Sequence, residues 1–367
     1  VVGRIELGGR FATGGLEHRV LLGMDTDRFE YDQYFERYRA PSLASDPTLE
    51  QSYVIDLLDP VYGQFPLPET SLLTDRVQTI GSTGVYLQDQ IAVTERFQLR
   101  LGLRWDAFEQ ELDDRRSGVQ RDTSEDRFTP QVGAVFALRD NLALYASHAR
   151  GFRANTGADA AGEPFDPNES RSTELGLKFE DVVGFTGTVT AFFVEQSNIL
   201  TFDPLNPFFL IEAGEAESRG LEFDAAGQVA GVDVALSWSW IDAEVTEDVL
   251  DPNFGLVVNA GDRLLNVPEQ TLSVQLAREV ALGGRRITFG GGLLYVGERL
   301  GEVGTDFELP DYTLLRAFAA WAPVPQLELR AEVDNLLDEE YYTNSFSSLW
   351  IQPGMPQRLR LAAEYRF

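Results

Sequence analysis

In the stretch "FQLRLGLRWDAF", Phe97, Leu99, Leu101, Leu103, Trp105 and Ala107 alternate with Gln98, Arg100, Gly102, Arg104 and Asp106. A period of two places each set on its own face of an extended strand. A slip of one residue would exchange the faces, so the pattern fixes register wherever those faces meet different surroundings. The same alternation runs through "STELGLKFE", "RGLEFDAAG", "QTLSVQLAR" and "QLELRAEVD", and on to the last residue of "RLRLAAEYRF". There Leu359, Leu361, Ala363, Tyr365 and Phe367 oppose Arg358, Arg360, Glu364 and Arg366. No segment sustains a helical period. The chain therefore reads as all-β, with about 15 strands and no helix beyond a couple of turns.

The connections alternate in length. Tight turns fall near Thr13–Gly15, Thr94–Arg96, Arg139–Asn141, Asp181–Gly184, Val229–Val232, Ala281–Arg285 and Pro323–Gln326. Longer linkers fall at about Arg37–Leu73, Asp113–Glu125, Arg153–Asn168, Asp203–Phe208, Thr246–Leu265, Glu302–Leu309 and Thr343–Met355. One edge of the sheet then carries short turns and the other long loops, as in transmembrane antiparallel up-and-down barrels. A soluble sandwich or propeller also alternates. It would use strands of about 5–6 residues, or a repeating blade of about 40–50, and neither pattern is seen here.

Composition narrows the partners. The formal net charge is -29, from 59 acidic and 30 basic side chains, which argues against nucleic acid as a partner. The chain has no cysteine and hence no disulfide or thiolate site. It has no apolar run long enough for a transmembrane helix, a test to which membrane strands are invisible. It opens at Val1 inside a strand pattern, without a signal-peptide pattern, and is expected to be a piece of something longer. Phe11, Phe97, Trp321, Tyr365 and Phe367 lie toward the short-turn edge; Phe29, Tyr31, Trp105, Phe152, Trp240, Tyr295, Tyr341 and Tyr342 lie toward the long loops. Two aromatic rings fit two membrane interfaces, although aromatics are also good strand formers.

Catalytic patterns are not found, and the protein is not expected to be an enzyme. His18 and His148 stand isolated, outside any metal-ligand spacing. Asp25, Asp27 and Glu30 lack the glycine and closing glutamate of a calcium loop and read as a solvated rim. Gly290–Gly292 reads as a close-packed strand bend. The long loops are the place for binding. Tyr31, Tyr34, Tyr38, Tyr53, Tyr62 and Phe65 form an aromatic-rich region, and Arg153 adds a cation toward an anionic ligand. The same residues also suit an ordinary surface loop or an interfacial girdle.

"VDNLLDEEYYTNSF" followed by "PQRLRLAAEYRF" resembles the C-terminal end of a TonB-dependent outer-membrane receptor. The matching residues are Asn335, Leu336, Leu337, Asp338, Tyr341, Tyr342 and the terminal Phe367. "GVYLQDQIAV" (Gly84–Val93), "LLDPVYGQFP" (Leu57–Pro66), "PFDPNESRSTELGLKFE" and "EAESRGLEFDAAG" resemble segments of the siderophore-type members in the same order. "PGMPQR" departs slightly from the family's Gly-x-Pro-Arg.

The resemblance implies a Gram-negative outer-membrane location and active transport of a ferric siderophore. It implies no covalently bound cofactor. Its partners would be the TonB complex of the inner membrane, the barrel-assembly machinery, which would read Tyr365 and Phe367, and outer-membrane lipid with lipopolysaccharide. Residues 1–367 would be the C-terminal portion of a 22-strand barrel domain, without plug or TonB-engaging motif. The sheet would be either open or closed as a smaller barrel. Another nutrient, such as a cobalamin or an oligosaccharide, and a passive porin-like barrel are the alternatives.

Overall fold

The structure is a computed structural model. It describes all residues except 1, 57, 156–158, 161–164, 204, 206–209 and 252–254. Among the described residues, twenty-one strands follow in chain order: β1 Val2–Thr13, β2 Leu16–Arg37, β3 Ser71–Ala92, β4 Phe97–Asp114, β5 Val119–Arg139, β6 Leu142–Arg153 and β7 Asn168–Val182. Next come β8 Phe185–Phe202, β9 Leu210–Val229, β10 Val232–Val245, β11 Val249–Leu250, β12 Val257–Val258, β13 Gln270–Leu282 and β14 Arg285–Val296. The last are β15 Arg299–Leu300, β16 Glu308–Leu309, β17 Tyr312–Val324, β18 Leu327–Asp334, β19 Tyr342–Ser347, β20 Trp350–Pro353 and β21 Arg358–Tyr365. One α-helical turn, α1, spans Leu49–Ser52.

Fifteen strands form one sheet in the order β1 to β10, β13, β14, β17, β18, β21. Every neighbour is the next sheet strand in sequence. β1 and β21 end the order and do not pair with each other. The other six strands are three hairpins inside long connections: β11–β12, β15–β16 and β19–β20. Contacts divide the chain into two compact units. The first is Val1–Ile5, Gly23–Val85 and Trp105–Arg127; the second is Glu6–Leu22, Tyr86–Arg104 and Phe128–Phe367.

Within the second unit the registers carry the alternation from strand to strand. Leu144, Leu177, Val189, Phe223, Trp238, Leu272 and Tyr295 are successive cross-strand partners. Below them, Val280, Ile287, Trp321, Leu329 and Ala363 form a second row. The apolar face is uncovered: Leu175 is 59% exposed and Leu361 75%. The described apolar side chains that are buried deepest lie elsewhere, at loop residues such as Leu309, Val258 and Phe165. A sheet this large with one bare apolar face would not persist in water, so the face is built for lipid.

The opposite face is tied by polar contacts. Arg100 donates to Gln88 at 2.6 Å, and Gln90 donates to Gln98 at 3.1 Å. On β21, Arg358 pairs with Asp334 at 3.2 Å and Arg360 with Glu332 at 3.1 Å, both on β18.

Strand glycines on this polar face let long side chains cross a neighbouring strand. Tyr145 lies over Gly176 and bonds Thr190 on the strand beyond, at 2.6 Å. Arg316 lies over Gly292 and donates to Gln275 at 3.0 Å. A Cβ at Gly176 would come within 2.4 Å of the Tyr145 ring and 2.6 Å of the Val189 carbonyl oxygen, so the crossing requires glycine. The close packing expected at Gly290–Gly292 is present, within a strand β14 whose registers to β13 and β17 are unbroken, with Phe318 over Gly290 and Arg316 over Gly292.

The linker expected at Asp113–Glu125 is a turn of four residues, 115–118, between two long strands. Polar residues misled the sequence reading, because strand ends that project past a membrane are wet on both faces. Asp114 accepts from the backbone N–H groups of Ser117 at 2.9 Å and Arg116 at 3.0 Å. The Ser117 bond is the main cause holding the Asp114 carboxyl below its usual range. A depressed carboxylate contributes order that is complete above the ordinary aspartate range and is lost as pH falls through the lower folded value. Amide exchange at Ser117 is expected to accelerate on acidification below that range, and Asp114→Asn should flatten the dependence.

Candidate functional site

The long connections of the second unit, residues 246–269, 297–311 and 335–357, are stitched together by side chains bonding to backbone. Asn266 donates to the Ser345 carbonyl at 2.7 Å and accepts from the Ser345 N–H at 3.0 Å. The Ser345 hydroxyl donates to the Gly301 carbonyl. Arg299 is only 2% exposed. Its guanidinium donates to the Tyr342 carbonyl, lies 3.5 Å from the carbonyls of Gly297 and Pro310, and sits 5.4 Å from the centre of the Tyr312 ring. Burial pushes the Arg299 pKa below the ordinary arginine value. A cation caged by carbonyls of two loops, with no carboxylate partner among the described residues, joins those loops without neutralising itself.

Beside this clasp lies a polar cleft of about 690 Å³, lined by Asn259, Asp262, Arg263, Thr305, Asp306 and Glu308 among others. Arg263 crosses it to Glu308 at 2.9 Å and to Glu269 at 3.5 Å. The Asn-Leu-Leu-Asp segment proves to be a corner. Asn335 is buried in the left-handed region, with φ of 48°. It donates to the carbonyls of Glu339 and Met355 at 2.8 and 3.1 Å and accepts from the Glu339 N–H at 2.8 Å. Asp338 then accepts from the Gln357 N–H at 2.8 Å, and Tyr341 covers Gly354. These residues aim β21 back along β18.

In the first unit, Tyr38, Tyr53 and Phe65 come together edge to face, with ring centres 5.3 and 5.9 Å apart. Their hydroxyls are spent on backbone: Tyr38 donates to the Gln51 carbonyl at 2.6 Å and Tyr53 to that of Pro66 at 2.5 Å. Tyr53 takes a left-handed φ of 53° just after the capping box of Thr48 and Gln51 on α1. This trio builds the loop. The other candidates stand apart from it. Tyr31 stacks on Phe29 at 6.4 Å, Tyr34 donates to Glu36 at 2.7 Å, and Tyr62 is 79% exposed. Phe29 and Tyr31 alternate in phase with Asp25, which pairs with Arg4, and Asp27, which accepts from Ser82. They therefore belong to the polar face and not to a lipid-side girdle. Arg153 closes β6 opposite Asn168. At the end of the chain Tyr365 meets Phe367 edge on at 5.3 Å.

The two histidines are not isolated. His18 stacks on Phe11 at 4.8 Å and meets Asp89 at 2.7 Å, while His148 bonds Thr173 at 2.9 Å. Cross-strand pairing between residues far apart in sequence made these partners invisible beforehand. Asp25 and Asp27 lie within the extended β2, and no group of three or more His, Asp or Glu among the described residues is arranged to hold a metal ion. Sequence reasoning also missed Asn266, Arg299 and Ser345, since nothing in their neighbourhoods marks them as residues that join loops.

A bare apolar face, a tied polar face, short turns at one edge and stitched loops at the other define the wall of an outer-membrane β-barrel. The family described as TonB dependent receptor-like, beta-barrel, matches residues 4–336, and the chain belongs to it. Members of that family are outer-membrane receptors and transporters rather than enzymes, and this chain is part of their barrel wall. The metal-pseudopaline receptor CntO of Pseudomonas aeruginosa is 33% identical over 98% of the chain and 50% of that protein. The ferrichrome outer membrane transporter/phage receptor of Escherichia coli is 27% identical over 99% of the chain and 48% of that protein. The crystal structure of the siderophore receptor PiuA from Acinetobacter baumannii shares the fold, with a TM-score of 0.85 at 23% identity, over 99% of this chain and 55% of that one. The chain thus spans about half the length of the curated relatives it matches.

Proposed function

We propose that the receptor containing this chain takes up a metal chelate, in the first instance a ferric siderophore, across the outer membrane. The observation that carries this reading is a rigid wall whose long loops are aromatic and preassembled, in a chain whose relatives are named for siderophores and a metal-pseudopaline complex. Aromatic walls with few polar groups suit a bulky organic chelate. Tyr31, Tyr34 and Tyr62 of the first unit, which are exposed, are the proposed direct contacts, and Arg153 of the second unit is a separate candidate for the chelate's anionic charge. Tyr38, Tyr53 and Phe65 hold their loop in shape.

The outer membrane has no ATP, so energy would arrive through the TonB complex acting on segments outside these 367 residues. The chain is read as the C-terminal portion of the barrel domain, with the plug also outside it. Tyr365 and Phe367 are proposed as the signal for barrel assembly, and lipid with lipopolysaccharide surrounds the wall. The ligand is the transported cargo, and no covalently bound cofactor is invoked.

Full-length receptor should appear under iron limitation and bind radiolabelled ferric chelates, and Tyr62→Ala with Arg153→Gln should weaken that binding while leaving the receptor folded. Iron-independent expression together with no retention of any ferric chelate would reject this reading in favour of another nutrient.

A further inference from the structure

The lipid-side face of β13 and β14 carries two arginines. On β13 the outward residues are Leu272, Val274, Leu276, Arg278, Val280 and Leu282; on β14, Arg285 shares the phase of Ile287 and Phe289. Both arginines are exposed, and neither makes a hydrogen bond, ion pair or ring contact among the described residues. Depth follows from the registers. The row of Tyr295 and Leu272 marks the long-loop side of the apolar band, and the row of Val280, Ile287 and Trp321 marks its short-turn side. Arg278, opposite Phe289, lies one outward position inside the Trp321 row; Arg285, opposite Leu282, lies one outward position outside it.

Two cations thus bracket an aromatic interface, about 13 Å apart along the strand direction. An unpaired charge inside the band is tolerated when its long stem bends toward the headgroups. For Arg278 that direction is toward Arg285. A depression of about 240 Å³ opens beside Arg285, lined by Gly284, Pro323, Val324 and Leu327 together with the charged Arg286, Glu328, Glu364 and Arg366. Glu279, Glu328 and Glu364, the nearest carboxylates in sequence and register, alternate onto the polar face; Glu328 and Glu364 reach the rim of the depression, where Arg366 pairs with Glu364 at 2.9 Å.

We propose that Arg278 and Arg285 together hold the phosphate of a glycerophospholipid in the leaflet at the short-turn edge. The guanidiniums supply paired charge-assisted donors to the phosphate oxygens, and the acyl chains lie along Leu276, Val280 and Phe289. This site rests on the lipid-facing assignment and is independent of the cargo.

The test is native mass spectrometry of the full-length receptor released from detergent, with phosphatidylglycerol, diacylglycerol or inorganic phosphate added. Wild type should retain phosphatidylglycerol in preference to diacylglycerol. Arg278→Gln with Arg285→Gln should reduce that retention about ten-fold or more, as expected for loss of bonds to a charged phosphate. Arg278→Lys with Arg285→Lys should keep most of it. Heat-modifiable gel migration identifies folded samples, and Arg100→Gln on the polar face serves as the control. Unchanged retention in the folded double glutamine variant would overturn the proposal. So would equal retention of diacylglycerol, or displacement of the lipid by millimolar-scale inorganic phosphate, which would mark a site for free anions.

Discussion

Leu101→Arg is expected to destabilise the receptor by roughly 2–4 kcal/mol, whereas Arg100→Gln, one residue away, should cost about 1 kcal/mol or less. Leu101 is 42% exposed on the apolar face, midway between Phe97 near the short turn and Trp105 nearer the loops. An arginine there meets hydrocarbon and cannot reach either interface without distorting the strand. Arg100 points the other way and donates to Gln88 across the wetted face, where water can replace the bond. Denaturant titration of the full-length protein in lipid vesicles, read by tryptophan fluorescence, measures both. Equal losses at the two positions would invert the facing of β4 and, through the shared alternation, of the whole sheet.

Arg299→Ala should cost on the order of 3 kcal/mol, because it strips a charged donor from buried carbonyls and leaves them without water. The loss should be communal. Exchange of backbone amides should accelerate together near Asn266, near Gly301 and near Ser345, since these segments are bonded to one another and to the arginine. Arg299→Lys keeps the charge but not the planar fork, and should fall between. If only residues 297–311 loosened, the clasp would be local and the three loops independent.

Much of the wall was legible beforehand because a β-strand reports its two faces directly in sequence. The alternation from Phe97 to Ala107, and that of Arg358 to Phe367, needs no tertiary knowledge to be read as one apolar and one polar side. Short turns announce themselves through residues such as Gly14, Gly184, Gly231 and Gly283, which take positive φ. The Asp113–Glu125 stretch failed that reading because polarity marks contact with water and not the end of a strand.

The loops were legible only in kind. Their aromatic content pointed to binding, but Tyr38, Tyr53 and Phe65 turned out to bond and pack among themselves, while Tyr31 and Tyr62 stayed open. Nothing along the chain links Asn266 to Ser345, or Arg299 to Tyr342.

By itself, then, the sequence determined the strand period, the meander order and, where apolar and polar residues alternate cleanly as in β4 and β21, which side meets lipid, since these follow from neighbours along the chain. The tertiary structure alone decided that Tyr145 reaches Thr190 over Gly176, that Arg358 and Arg360 find Asp334 and Glu332, and that Arg299 is buried among carbonyls. Those contacts depend on which strands and loops come to lie side by side, and register across a sheet is set only once every strand has its partner.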